Sequence, residues 1–262
     1  MVGAVALAAL SLGAPAGGAE AERHVETIGR SIEGRALRTI VLGDREAERH
    51  VETIGRSVEG RALRAIVLGD REAERRILVV GCIHGNECAG IRATRRLARL
   101  GTPPDGSVIW IVHQLNPDGA RRGVRQNARG VDLNRNFRAA WRAGGRPWDG
   151  EYPGPRPFSE PETRAIRRLV LRIRPHVTIW YHQPQRMVRA WGACVAAARR
   201  YGTRAGLRYR SILWPRGTGP RWQNKQFRRQ RSFVVELAPG PLSDERAARH
   251  ARAARSFAAT RS

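Results

Sequence analysis

The chain has 262 residues, enough for one substantial hydrophobic core, and we expect a single domain rather than several. Its net charge is +25, and since Lys225 is the only lysine, 47 of the 48 basic residues are arginines. Three cysteines are too few for a disulfide scaffold, and no nucleic-acid-binding motif accompanies the arginines, so we expect no nucleic-acid partner. The charge favours an acidic substrate or a polyanion, although a coding sequence rich in G and C explains much of it without any partner.

The first 21 residues resemble an export signal. Residues 1–19 carry no charged side chain, and Ala19-Glu20-Ala21 is typical of a small-residue cleavage site. We therefore expect residues 1–21 to be a signal peptide and the protein to be exported or located in the cell envelope. The basic n-region is missing, which leaves an uncleaved anchor, an unstructured tail and a cytoplasmic location open. The stretch is rich in Ala and Gly and contains Pro15, so we expect no stable membrane insertion.

A direct duplication follows this segment. Residues 22–47 and 48–73 differ only at Ile32/Val58 and Thr39/Ala65. Two copies are too few for a solenoid, which needs at least three stacked units. Each copy contains a turn signal and then an apolar run that predicts one strand, and the second copy is the better candidate for a place in a central sheet. The first copy is then an extra edge element, a disordered segment or an error in assembling the sequence, and the main domain spans residues 48–262.

From residue 76 onward, apolar runs alternate with amphipathic segments. Strands are predicted at 77–82, 108–112, 177–181 and 233–237, and helices at 87–100, 160–173, 193–206 and 243–258. In Ser159-Glu160-Pro161-Glu162 we expect the serine to cap the second helix and Glu162 to reach back to the cap. Short strands alternating with helices predict an α/β fold with three layers, α/β/α, around a mixed, mostly parallel central sheet.

Four ionisable side chains lie at or just past the ends of predicted strands: His84, Glu87, His182 and Glu236. Ligands of such sheets bind beyond the carboxyl ends of the strands, so these groups are candidates for one site. His84 and Glu87 alone do not make a stable zinc site, because catalytic zinc usually takes three protein ligands. His182 is the best candidate for the third ligand, and His113, which also follows a strand, is a weaker one.

Residues 115–137 interleave polar side chains with turn formers, and Asn116-Pro117-Asp118-Gly119 predicts a tight turn. Together with the strand-end residues, this segment resembles the zinc carboxypeptidase family of metallopeptidases, in the branch that includes bacterial murein peptide amidases. The resemblance covers roughly residues 50–240 and rests on six motifs in the family's order: His84-Gly85-Asn86-Glu87, Asn116-Pro117-Asp118-Gly119, Arg125 with Gly130-Val131-Asp132-Leu133-Asn134-Arg135-Asn136-Phe137, Ser159-Glu160-Pro161-Glu162, Tyr181-His182-Gln183-Pro184 and Phe233-Val234-Val235-Glu236-Leu237.

The resemblance implies a zinc carboxypeptidase-like fold and one zinc ion per chain, with His84, Glu87 and His182 as the metal ligands. It also implies that Glu236 takes a proton from the attacking water and returns it to the leaving amine. These roles agree with general chemistry, because bound zinc lowers the pKa of water to about 7, where a nearby carboxylate can accept its proton.

Three further residues receive roles from the resemblance. Arg125 is expected to polarise the scissile carbonyl and stabilise the oxyanion, while Asn134 and Arg135 are expected to hold the substrate's terminal carboxylate. A guanidinium suits that task because its planar fork matches a carboxylate. Many carboxypeptidases of the family have a tyrosine on a mobile loop shortly before the catalytic glutamate. In this sequence that region has no tyrosine and offers Trp214 or Arg216 instead.

The cysteines add two open alternatives. Cys82 and Cys88 flank the expected ligands, so thiolate ligation competes with the histidine and glutamate set, though more weakly. A Cys82–Cys88 or a Cys88–Cys194 disulfide is also compatible with export, and the spacing does not choose between them.

The resemblance favours a zinc-dependent amidase that acts on a peptide substrate, in the murein branch the γ-D-glutamyl-diaminopimelate bond of a cell-wall peptide. One alternative is a general metallocarboxypeptidase acting on peptides or proteins, and a more distant one is a deacylase of N-acyl amino acids. A non-catalytic alternative is a basic, exported binder of wall polyanions. The oligomeric state stays open at this point.

Overall fold

The computed structural model describes residues 22–30, 36–43, 49–227 and 231–259. The chain divides into two units with the boundary between Glu46 and Ala47. In the first unit, β1 (Glu22–Arg30) and β2 (Ala36–Gly43) pair antiparallel in a separate two-stranded sheet. The expected signal peptide, residues 1–21, lies outside the described residues. In the described part, every helix is too short or too polar to span a bilayer.

An eight-stranded mixed sheet forms the centre of the second unit. Its strands are β3 (Arg49–Arg56), β4 (Ala62–Leu68), β5 (Arg75–Val80), β6 (Ser107–Val112), β7 (Val177–His182), β8 (Met187–Ala190), β9 (Arg208–Ser211) and β10 (Arg231–Glu236). Their order across the sheet is β3-β4-β6-β5-β7-β10-β8-β9. The pairs β5/β6, β5/β7, β7/β10 and β8/β9 are parallel, and β3/β4, β4/β6 and β8/β10 are antiparallel. The predicted mixed, mostly parallel sheet is confirmed.

Helices cover both faces of this sheet. They are α1 (Gly90–Ala98), α2 (Pro117–Arg122), α3 (Pro161–Ile173), α4 (Val195–Ala205), α5 (Gly219–Gln226) and α6 (Asp244–Arg255). Trp180 and Tyr181 are neighbours on β7, so their side chains point to opposite faces. The Tyr181 hydroxyl lies 2.8 Å from that of Tyr201 on α4. On the other face, a Cβ added at Gly219 of α5 would lie 3.0 Å from the Trp180 ring. The three-layer prediction is therefore confirmed.

The second repeat copy forms the hairpin of β3 and β4, and β4 pairs with β6 in the main sheet. The sequence predicted the strand that became β4 but not β3, all of whose residues are exposed or only partly buried. The hairpin has an irregular register between Thr53 and Gly55. A Cβ at Gly55 would lie 2.8 Å from the Cβ of Ala165, so the glycine lets the hairpin approach α3 closely.

The other predicted elements are confirmed with ends that differ by no more than three residues, as β5, β6, β7, β10, α1, α3, α4 and α6. The tight turn predicted at Asn116 is wrong, because residues 117–122 form the short helix α2. The side-chain oxygen of Asn116 accepts a hydrogen bond from Gly119 N at 2.9 Å and so caps that helix. Asparagine is among the strongest N-cap residues, which explains a helix in place of a turn.

The capping arrangement predicted for α3 is also wrong. Its N-cap is Glu160, and no side chain bonds the first turn as a cap. Ser159 Oγ instead donates to Glu160 Oε1 at 2.6 Å, and Glu162 Oε1 accepts from Val58 N at 3.0 Å. Glu162 has therefore exchanged the expected local partner for a tertiary one, whereas Ser159 bonds the side chain of its neighbour.

The parallel strands β5, β6, β7 and β10 end at the same edge of the sheet, and their following loops meet there. His84 and Glu87 follow β5, while His182 and Glu236 are the last residues of β7 and β10. The fold thus brings these four candidates to one edge.

Candidate metal centre

Three donor atoms converge at this edge. His84 Nδ1 lies 3.0 Å from Glu87 Oε2, His182 Nδ1 lies 2.9 Å from the same oxygen, and the two Nδ1 atoms are 3.2 Å apart. Both histidines are buried, and Glu87 is 13% exposed. Donor atoms this close repel one another unless a proton or a cation lies between them. Two imidazole nitrogens and one carboxylate oxygen are a ligand set that catalytic zinc takes, so the residues fit that ion.

The loop that carries His84 and Glu87 is held tightly. Glu87 N donates to His84 O at 3.0 Å, and a disulfide joins Cys82 to Cys88 across the loop. A Cβ on Gly85 would lie 2.1 Å from the Gly119 carbonyl carbon, so only glycine fits where this loop passes α2. Because both thiols are in the disulfide, the thiolate-ligand alternative is wrong.

Cys194 and His113 take no part in the group of three. Cys194 is buried and outside the disulfide, so the Cys88–Cys194 alternative is also wrong. His113 Nδ1 lies 2.8 Å from Thr94 Oγ1 and is absent from the ligand cluster found among the described residues. Burial, with the charges of Arg95 and Arg49, lowers the pKa of His113 to about 4. The structure therefore brings His182, and not the weaker candidate His113, to the candidate ligands His84 and Glu87.

A buried carboxylate supports the first histidine. Asp132 Oδ1 accepts from His84 Nε2 at 2.9 Å and from Asn134 N at 2.8 Å, and Asp132 Oδ2 accepts from Arg125 Nε at 2.9 Å. Burial alone would raise the pKa of Asp132, but the charges of His84 and Arg125 outweigh it and hold that pKa below its usual range. The hydrogen bond to Asp132 directs Nδ1 of His84 toward the other two donors. Asp132 lies within one of the six family motifs, but the resemblance assigned it no role.

Proton affinity differs between the two histidines. Burial lowers the pKa of His84, but the charges and hydrogen bonds of Asp132 and Glu87 more than offset this and raise it overall. Burial lowers the pKa of His182. Burial also opposes ionisation of Glu87, yet the hydrogen bonds from His182 and His84 hold its pKa below the usual range. Asp132 and Glu87 thus favour a proton on His84 over one on His182.

Arg125 and Asn134 brace this cluster. Arg125 Nη1 donates to Glu87 Oε1 at 2.7 Å, so its guanidinium bridges Glu87 and Asp132 while 27% of the side chain stays exposed. Asn134 Oδ1 accepts from Gly219 N at 3.0 Å, and Asn134 Nδ2 lies 3.3 Å from His182 Nε2.

Arg135 and Glu236 complete the candidate set. Arg135 Nη1 donates to the Asn134 carbonyl at 2.9 Å, and its Nη2 pairs with Glu151, whose side chain is largely exposed. Glu236 is in register with His182 on the adjacent parallel strand. Its Oε1 lies 3.5 Å from Arg189 Nη1, while its buried Oε2 has no hydrogen-bond partner within the described chain.

All seven predicted site residues line one cavity of about 430 Å³. Further lining residues are Glu151, Gln183, Pro184, Gln185, Arg189, Trp214, Pro215, Thr218, Pro220 and Val234. Of the two residues offered for the region of the family's tyrosine, Trp214 lines the cavity and Arg216 is exposed outside it.

A model of the zinc carboxypeptidase family matches residues 46–195. The chain belongs to the zinc carboxypeptidase family. Murein peptide amidase A of Escherichia coli K12 is 36% identical over 118 residues, which cover 41% of this chain and 48% of that protein. The corresponding protein of Vibrio campbellii is 30% identical over 118 residues, covering 41% and 47%. The chain thus spans about half the length of the curated relatives it matches.

Solved structures extend the similarity over most of the chain. The murein-tripeptide amidase of Escherichia coli O157 has a TM-score of 0.65 and 26% identity, covering 81% of this chain and 92% of that one. Carboxypeptidase A of Helicoverpa armigera has a TM-score of 0.68 and 18% identity, covering 80% and 68%. At 18% identity, the match to carboxypeptidase A shows similarity of fold alone. Glu236 lies beyond the family match and reaches the site through its register with His182.

Proposed function

We propose that the protein is a zinc-dependent metallocarboxypeptidase or amidase that hydrolyses the bond next to a C-terminal residue, with γ-D-glutamyl-diaminopimelate in murein peptides as the substrate. The observation that carries the proposal is the convergence of His84 Nδ1, Glu87 Oε2 and His182 Nδ1 in a cavity that also holds the unpartnered Glu236 Oε2 of the described chain. The amidase relatives support the choice of substrate.

In this proposal His84, Glu87 and His182 hold one zinc ion per chain. When bound, zinc supplies Lewis acidity, which lowers the pKa of water and polarises a carbonyl. Glu236 accepts the proton of the attacking water and passes it to the leaving amine. The carboxylate suits this role, because among the described residues its Oε2 has no hydrogen-bond donor and its Oε1 has only a long one.

The remaining proposed roles concern substrate binding. Arg125 stabilises the developing oxyanion, and its bonds to Glu87 and Asp132 fix the guanidinium in advance of binding. Asn134 and Arg135 hold the terminal carboxylate. Arg135 must exchange its partner Glu151 for the substrate. The Glu151 carboxylate is largely exposed, so water can solvate it once it is released.

The decisive experiment compares a murein tripeptide with ordinary peptides, each incubated with the protein with and without a chelator and read by mass spectrometry. We expect release of diaminopimelate that the chelator abolishes and that Glu236→Gln lacks. Release of ordinary C-terminal residues alone would favour the general carboxypeptidase, and cleavage of N-acyl amino acids alone would favour the deacylase. Bound zinc with no hydrolysis at all would favour the polyanion binder.

We further propose that residues 48–262 form the catalytic domain, that the first repeat copy is dispensable, and that the protein is exported after removal of residues 1–21. All seven site residues lie within 48–262, and a disulfide suits an oxidising compartment. Mass analysis of protein recovered from the producing cells should show a mature chain that begins near residue 22. Full-length protein confined to the cytoplasm would contradict export.

A further inference from the structure

Arg189 places a permanently charged guanidinium in the wall of the active-site cavity. It lies on β8, and its register partner on the antiparallel strand β10 is Val234. Residues directly opposite each other in an antiparallel pair point to the same face, and Glu236 shares that face because it lies two positions from Val234. Arg189, Val234 and Glu236 accordingly all line the cavity.

The hydrogen-bonding capacity of Arg189 is largely unused. Its side chain is 19% exposed, and its contact with Glu236, Nη1 to Oε1 at 3.5 Å, is long for a hydrogen bond. Its buried Nε finds no partner among the described residues. The same is true of the buried Nε1 of Trp214, another residue of the cavity wall. Buried donors without partners are costly in a folded protein. The exposed part of the Arg189 side chain lines the cavity, where a ligand that accepts from the guanidinium offsets part of this cost.

The other two arginines of the cavity are already engaged. Arg125 bonds the carboxylates of Glu87 and Asp132, and Arg135 bonds the Asn134 carbonyl and pairs with Glu151. The proposed function also uses both of them, for the oxyanion and the terminal carboxylate. Arg189 is thus the cavity arginine with a donor left over, next to the proposed proton carrier and therefore near the bond that is cut.

We propose that Arg189 determines specificity by binding a carboxylate in the side chain of the substrate's C-terminal residue. This inference rests on the proposed function and narrows it to substrates that end in a residue with a second carboxylate, such as glutamate or diaminopimelate. A guanidinium matches a carboxylate with two parallel hydrogen bonds, and a neutral amide or alkyl group cannot replace them. The strong positive charge of the chain favours the approach of such substrates.

The test compares two blocked dipeptides that differ only in ending with glutamate or glutamine, and the measured quantity is the ratio of their kcat/KM values. For the wild type we expect a preference for glutamate of at least about 30-fold, as for a charged pair desolvated in a binding site. Arg189→Met keeps most of the side-chain volume and should bring the ratio close to one. Arg64→Met removes the same charge from an exposed position on the distant strand β4 and should leave the ratio unchanged.

Each other outcome has a defined meaning. A wild-type ratio near one would overturn the inference while leaving the carboxypeptidase function in place. If Arg189→Met lowered kcat/KM equally for both substrates, Arg189 would position Glu236 rather than bind the substrate's side chain, and the inference would be wrong. Calorimetry with free glutamate and free glutamine repeats the comparison without turnover. A wild-type preference for glutamate that Arg189→Met abolishes would support the inference even if no peptide is cleaved. The lack of cleavage would count only against the proposed function.

Discussion

Asp132 offers the sharpest perturbation of the candidate metal centre that spares the three candidate ligands. Its buried carboxylate bonds His84 Nε2 at 2.9 Å, Asn134 N at 2.8 Å and Arg125 Nε at 2.9 Å. Asp132→Ala removes all three bonds and leaves the His84 ring free to rotate or to change tautomer. Loss of a carboxylate that orients a metal-binding histidine typically weakens metal binding by about 10- to 100-fold, or about 1.4 to 2.7 kcal/mol.

Asp132→Asn separates the effect of the carboxylate on His84 from its effect on Arg125. The retained Oδ1 can still accept from His84 and Asn134, whereas the new amide group faces the Arg125 guanidinium, a donor against a donor. We therefore expect zinc affinity near the wild-type value for Asp132→Asn, together with a lower turnover through a displaced Arg125.

The assay is competition for zinc with a chromophoric chelator, at a temperature where circular dichroism shows every variant to be folded. Asp70→Ala removes a carboxylate from an exposed surface turn, where it accepts from Glu72 N at 2.9 Å, and serves as the matched control. A dissociation constant for Asp132→Ala within twofold of the control would refute the claim that this carboxylate holds the histidine in place.

Three further changes test separate parts of the molecule. Glu236→Gln should keep zinc and lower kcat by about 10²- to 10⁴-fold, as for loss of a general base, and a wild-type rate would exclude it as the proton carrier. Burial raises the pKa of Glu162 from 4.5 to about 7. Between pH 4.5 and pH 7 the folded chain therefore keeps a proton on Glu162 that the unfolded chain has released. Wild-type stability should therefore fall by about 3 kcal/mol as the pH rises from about 4.5 to 7. Urea unfolding of Glu162→Gln at pH 5 and pH 8 should lack this loss, and an equal loss would contradict it. Replacing Cys82 and Cys88 together with Ser opens a loop with a sequence separation of 6 and should lower the free energy of unfolding by about 2 kcal/mol, seen as a lower Tm; an unchanged Tm would count against a stabilising disulfide.

Much of the fold could be predicted because its central strands are apolar runs. Strands β5, β6, β7 and β10 are nearly continuous series of buried aliphatic and aromatic residues, a pattern typical of parallel strands covered on both faces. By contrast, β3, β8 and β9 are short or polar and lie toward the edges of the sheet, where one face needs no apolar cover. Their sequences therefore carry little strand signal.

The residues of the candidate site also differ in how well the sequence predicts them. The ligand candidates could be found because each follows a recognisable strand and recurs in a family motif. Asp132 and Arg189 could not, since their importance lies in contacts with partners 48 and 47 positions away, His84 and Glu236. Neither contact leaves a local pattern.

The metal content of the protein tests the central claim most directly. Elemental analysis of wild type, His182→Ala and His113→Ala, purified without chelators, should give about one zinc per chain for the wild type and for His113→Ala and almost none for His182→Ala. Wild-type protein without zinc, or loss of the metal in His113→Ala but not in His182→Ala, would contradict the metal centre on which every proposed step depends.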